Sequence, residues 1–141
     1  MNGIRTLLND IEGIQASFLR FPSRNDQQAL TMNYKQRCNH FNVERLDDRR
    51  LMASAMFCFK TITGMTDSEY VLSRLNFNCP PRRLRNEQCF RTEVNRSNYA
   101  MCEPVNVLMS CLNVFKDEFD YDLTVEEFKR RMKLRLSQGI A

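Results

Sequence analysis

The residues of this 141-residue chain that can do chemistry are few. They are adjacent carboxylates at Asp47 and Asp48, a thiol and an imidazole two residues apart at Cys38 and His40, six cysteines in all, and a run of arginines around two prolines. Paired carboxylates hold the divalent ions of two-metal phosphoryl-transfer centres. Here they stand in "ERLDDRRL", inside a predicted helix, where neighbours i and i+1 diverge and Arg49 and Arg50 compete for them. They read as a solvated helix face. His40 is the sole histidine, and on a helix it points roughly 200° away from Cys38, so the two form no local nucleophile–base dyad. Zinc needs four converging ligands. Cys79, Cys89 and Cys102 with Cys38 or His40 supply the atoms, but no Cys-x-x-Cys pair nucleates the site, and the cysteines, with Cys58 and Cys111, read as structural thiols. No phosphate-binding glycine loop, dinucleotide fingerprint or nucleophile elbow is present among only four glycines. The expectation is a chain with no catalytic residue, no metal site and no cofactor of its own.

The arginine run remains. Between Arg74 and Tyr99 lie Arg74, Arg82, Arg83, Arg85, Arg91 and Arg96 against only Glu87 and Glu93, a surplus equal to the formal charge of +4 for the whole chain. Pro80 and Pro81 restrict the backbone to extended conformations, so Arg82, Arg83 and Arg85 are presented on a stiff segment. Guanidinium groups bind phosphate bidentately, and Tyr99, with Phe90 nearby in sequence, offers a ring on which an unpaired base can stack. A plainer reading stands beside this one: Phe90 and Tyr99 pack the loop onto the helices, while the arginines face water or pair with Asp117, Glu118 and Asp120.

The elements that must position these groups are helices. Ile4, Leu7, Leu8, Ile11, Ile14 and Phe18 recur at helical spacing over about 3–20, with Pro22 as a stop. Leu30, Tyr34, Cys38 and Phe41 suggest a second helix. Asn42 is suited to N-cap a third starting at Val43, with Phe41 and Leu46 as a staple across the cap. That helix is apolar around most of its circumference from Leu51 to Ile62, which predicts a central core helix, and Gly64 offers it a left-handed end. Thr66 with Glu69, and Thr124 with Glu127, form the pattern of a capping box. Pro104 suits a first helical turn before Val105, Leu108, Leu112 and Phe115. The last helix, about 124–137, sets Val125, Phe128, Met132 and Leu136 against a basic face, supported by Glu126–Arg130 and Glu127–Arg131. Length and a hydrophobic content of 43% predict one all-α domain over 1–141, an irregular bundle of about six helices with a basic, proline-containing loop at about 77–102. Weak alternation at Phe90, Thr92 and Val94 allows a short strand near 89–95. No apolar run approaches the roughly 18–20 residues of a membrane span, and no apolar signal stretch opens the chain, so the expectation is a nuclear or cytoplasmic protein with reduced thiols.

The order of several strings then carries a resemblance. "IEGIQASFLRF", "NYKQRC", "LDDRRL", "FCFKTITGMTDSEYVLSRLNFNCPPRRLR" and "NRSNYAMCEP", followed by an apolar helix, resemble the C-terminal part of reverse transcriptases from jockey-like non-LTR retrotransposons, beyond the palm and thumb. The likeness runs from about Leu8 to Leu136, with Arg49-Arg50-Leu51, Pro81-Arg82, Leu84-Arg85 and Arg96-Ser97-Asn98-Tyr99 as its most specific points. Members of that family often place Gly where this chain has Ala100 and Arg where it has Val107. The parent enzymes carry an aromatic-Ala-Asp-Asp sequence, which is missing here and which Asp47-Asp48 does not match. The resemblance thus implies a module derived from an RNA-directed DNA polymerase without its polymerase centre, so this chain alone is not an enzyme. The expectation is that it contacts RNA or DNA backbone through Arg82, Arg83, Arg85, Arg91 and Arg96, with Tyr99 placed to stack on a base. Its partners are nucleic acid and, if the chain is a fragment, the rest of the reverse transcriptase polyprotein, with no membrane. The alternatives are a non-enzymatic helical protein-interaction module, for which exposure of Met52, Met56 or Phe57 would be the cue, and an inert transposon-derived relic.

Overall fold

The structure, a computed structural model, describes residues 2–79, 88–92 and 103–138. It is all-α, with seven helices and a single isolated β-bridge among the described residues. The backbone groups into two compact units, Met1–Arg50 and Leu51–Ala141.

In the first unit α1 (Asn2–Ser23) packs on α2 (Gln27–Thr31) and α3 (Tyr34–His40). Helix α1 runs through Pro22 rather than stopping before it. A proline in the last turn forfeits its own N–H bond and crowds one carbonyl, with little helix beyond it to disturb, and Ser23 Oγ donates to the Leu19 carbonyl at 2.7 Å before three i→i−3 bonds, from Arg24, Asn25 and Asp26, close the end. The expected second helix divides in two. Met32 is extended, and Asn33 opens α3 with a full capping box in which Asn33 Oδ1 accepts from the Gln36 N–H while Gln36 Oε1 accepts from the Asn33 N–H, each at 2.9 Å.

Asn42 does not cap the start of the next helix. Its φ of 53° is left-handed, the Asn42 N–H donates to Asn39 and the Val43 N–H to Cys38 at 2.8 Å, so Asn42 closes α3 in a Schellman motif and α4 (Leu46–Ile62) begins four residues later. Asparagine serves both roles because its short amide tolerates the left-handed region.

Leu19, Ser23, Ala29 and Cys38 are buried in this unit. A polar cluster lies beside them. The Tyr34 hydroxyl donates to Glu12 Oε1 at 2.7 Å, and Arg45 and Arg50 approach the same carboxylate at 3.8 and 3.6 Å. Burial, and then the hydrogen bond to Glu12, push the Tyr34 hydroxyl far above its ordinary range. The apolar stripe of α1 faces the other way: Leu7, Ile11, Ile14, Phe18 and Phe21 are all exposed.

The second unit collects the rest of α4 with α5 (Glu69–Arg74), α6 (Pro104–Val114) and α7 (Val125–Gln138). As its apolar circumference predicts, α4 is central. Ala55, Cys58 and Phe59 are buried with Met109, Leu112 and Phe115 and with Phe128 and Met132. Phe59 stacks on Phe128 with centroids 4.5 Å apart, and Phe119 meets both rings edge-on at 5.9 and 6.2 Å. Met52 and Met56 pack against this core, whereas Phe57 is 38% exposed. Gly64, at φ 72°, ends α4 with a Met65 N–H to Lys60 carbonyl bond of 2.8 Å.

The Thr66 capping box is not formed, because α5 starts at Glu69 with Ser68 at the N-cap position. Pro104 does occupy the first turn of α6. At α7 the Glu127 N–H donates to Thr124 Oγ1 at 3.2 Å, but the Glu127 carboxylate turns away to gather both Arg130, at 2.7 Å, and Arg131, at 3.2 Å. Arg130 therefore pairs with Glu127 rather than with Glu126.

Those two guanidinium groups, Arg130 first, lower the Glu127 carboxyl from 4.5 to about 2. A depressed carboxyl stabilises the fold fully above its unfolded value near 4.5 and loses that contribution as pH falls toward about 2. An NMR titration is expected to place the Glu127 midpoint well below the other glutamates, and Glu127→Gln to flatten the acid limb of the stability profile. A midpoint at the ordinary glutamate value would show that the cluster does not persist in solution.

Candidate nucleic-acid interface

The basic segment is rooted by a short stem. Phe77 and Phe90 pair antiparallel, with the Asn78 N–H donating to the Cys89 carbonyl at 3.0 Å and the Arg91 N–H to the Asn76 carbonyl at 2.9 Å. In such a non-hydrogen-bonded pair the side chains approach closely, and the two rings lie 5.1 Å apart. This one bridge is what forms, among the described residues, where the alternation allowed a strand near 89–95.

The Phe90 backbone groups point away from Phe77 and need other partners. Asn113 on α6 supplies both: its Oδ1 accepts from the Phe90 N–H at 2.9 Å and its Nδ2 donates to the Phe90 carbonyl at 3.0 Å. A side-chain amide thus takes the place of a third strand. Asn78 Nδ2 adds a bond to the Gln88 carbonyl at 3.0 Å, and the Asn76 N–H points at Met109 Sδ at 3.3 Å. Phe90 and Leu75 are buried beneath the stem.

Of the sequence-selected residues, only Arg91 falls within the described chain; Arg82, Arg83, Arg85, Arg96 and Tyr99 lie outside the described residues. Arg91 is exposed, and no carboxylate among the described residues is within ion-pair distance of it. It borders a cleft of about 150 Å³ shared with Arg74, Asn76, Glu103, Asn106 and Met109. Arg74 is already engaged there. It forms an ion pair with Glu103, and its Nη1 donates to the Tyr70 hydroxyl at 2.7 Å with the guanidinium 5.6 Å from the Tyr70 ring centre. The Tyr70 hydrogen bond, ahead of Glu103, raises its pKa further. Within the cleft Glu103 offsets one arginine and leaves Arg91 as the outward positive charge.

Phe90 is not available to stack on a base, since it is 1% exposed and belongs to the core, as the plainer reading of the loop had it. Glu118, a partner suggested for the loop arginines, faces Arg135 at 3.6 Å, and its pairing with Arg82, Arg83, Arg85 or Arg96 lies outside the described residues. Sequence reasoning missed Asn113. Its signal was a polar residue that, with Ser110, interrupts the apolar run "VLMSCLNVF".

The other candidate chemistry separates in space. Cys38 is buried and receives the Gln15 amide at 4.0 Å, whereas the exposed His40 ring meets Asp26 at 2.6 Å, so they are no dyad. Asp47 pairs with Arg50 and, at 3.7 Å, with Arg45, on the helix surface. Among the described residues no three metal-ligating side chains converge. Cys58 is pushed up to about 12 by burial, with Cys111 and Cys89 adding to it; Cys111 is raised by burial too; Cys79, at the mouth of the stem, is exposed. No helix among the described residues is long and apolar enough to cross a membrane.

Comparison of the chain with protein-family models, with curated protein sequences and with solved structures finds no match.

Proposed function

We propose that this chain is a non-catalytic helical module that binds RNA or DNA backbone through its proline–arginine segment, derived from the C-terminal region of a non-LTR retrotransposon reverse transcriptase. The derivation rests on the ordered motifs of the sequence. The binding role rests on one structural observation, the Asn113-clamped stem that holds Arg91 outward at the root of an arginine-rich segment. Such a stem fixes the backbone that carries Arg91, which lowers the ordering cost of gripping a phosphate there. Reading is by charge, so affinity is expected to depend on salt more than on base sequence.

The test is binding of single-stranded RNA, single-stranded DNA and an RNA–DNA hybrid as a function of salt. Three to five phosphate contacts predict a log–log slope of about −2 to −4, and Arg91→Ala is expected to reduce it by about 1 without a strand preference. Arg82→Ala with Arg83→Ala should weaken all three ligands. A flat salt response, or no change in that double variant, overturns the proposal.

A further inference from the structure

The exposed residues of α1 follow a strict rule. Leu7, Ile11, Ile14, Phe18 and Phe21 are separated by four, three, four and three residues, the a/d spacing of a coiled-coil seam, and their exposures run from 45% at Ile11 to 69% at Ile14. The face that α1 gives to its own unit is a different one, built on Leu19 and Ser23. A narrow a/d stripe is complementary to another helix rather than to a flat surface. A shallow groove lined by Asp10, Gly13, Ile14, Ser17, Phe18 and Phe21 runs along its edge, open to receive side chains.

We propose that α1 is a homodimerisation helix, its stripe pairing with the same stripe of a second copy of this chain. The area fits. Five side chains of this size and exposure present roughly 600 Å² per copy, or about 1,200 Å² in a pair, the lower bound of specific interfaces and at the upper end of what a monomer leaves exposed.

The stripe carries no charge of its own, and its alternation of four and three residues matches that of a second copy, as a twofold contact requires. This association is independent of the nucleic-acid role.

The full chain is to be diluted in sedimentation-velocity runs from about 100 µM downward, with a dissociation constant expected in the micromolar range for so small an interface. Ile14→Asp, which alters both halves of a twofold contact, is expected to weaken the dimer at least about 100-fold while far-ultraviolet circular dichroism is unchanged, since Ile14 is outside the unit's own core. A wild-type chain that stays monomeric throughout overturns the proposal, including one that instead binds anionic vesicles. So does a dimer that survives Ile14→Asp with its helix content intact.

Discussion

Phe59→Ala is expected to cost the second unit about 3–5 kcal/mol, the range for deleting a fully buried aromatic ring. The ring is 0% exposed, stacked on Phe128 and edged by Phe119, so its loss removes one side of two aromatic contacts and leaves a cavity that two neighbouring rings are too rigid to fill. Against a total of about 5–14 kcal/mol for a unit of this size, that is a large fraction. Urea denaturation followed by circular dichroism measures it. Phe59→Leu keeps most of the volume and is expected to cost less than about 1.5 kcal/mol. Equal midpoints for the alanine variant and the wild type would mean that the aromatic cluster does not form the core.

Asn113→Ala is expected to cost about 2–4 kcal/mol for a different reason. It removes little apolar area, but it strands both the N–H and the carbonyl of a buried residue, at about 1–3 kcal/mol for each unsatisfied group. The Asn78 and Arg91 amides, which close the stem on either side of Phe90, should then exchange hydrogen faster. Asn113→Asp separates the two halves of the clamp. At neutral pH its carboxylate still accepts from the Phe90 N–H but faces the Phe90 carbonyl with no donor; once protonated it carries an O–H. Stability of this variant relative to wild type should therefore rise as pH falls through the pKa of the introduced carboxyl. A relative stability that is flat, or that falls with acid, would show that the second hydrogen bond contributes nothing.

Much of the helical framework was legible because its signals are local. The apolar faces of α4, α6 and α7, the Pro104 start and the Gly64 end each rest on residues within one or two turns of one another. Errors arose where one residue type serves two backbone roles. Asn42 fits an N-cap and a left-handed helix end equally well, and only the bonds back to Asn39 and Cys38 decide between them. The Asn33 capping box was equally local but was overlooked, so one expected helix became two.

Long-range partners were not legible. Asn113 bonds to a residue 23 positions away, and nothing in the spacing of either segment announces it. Periodicity gave the stripe on α1 but not its direction, because an apolar stripe shows which residues share a face without showing what covers them. Most of the selected arginines lie outside the described residues, so for the candidate interface the described structure supplies the root and the sequence supplies the rest.

The uneven burial of the sulfur atoms has a practical consequence. With Cys38 enclosed, Cys58 held protonated, and Cys89 and Cys111 half-covered, maleimide chemistry at neutral pH is steered, among the described positions, to Cys79. The residue after it is Pro80. A fluorophore conjugated there sits at the threshold of the arginine segment, so the native chain carries its own attachment point for an optical reporter of whatever that segment grips.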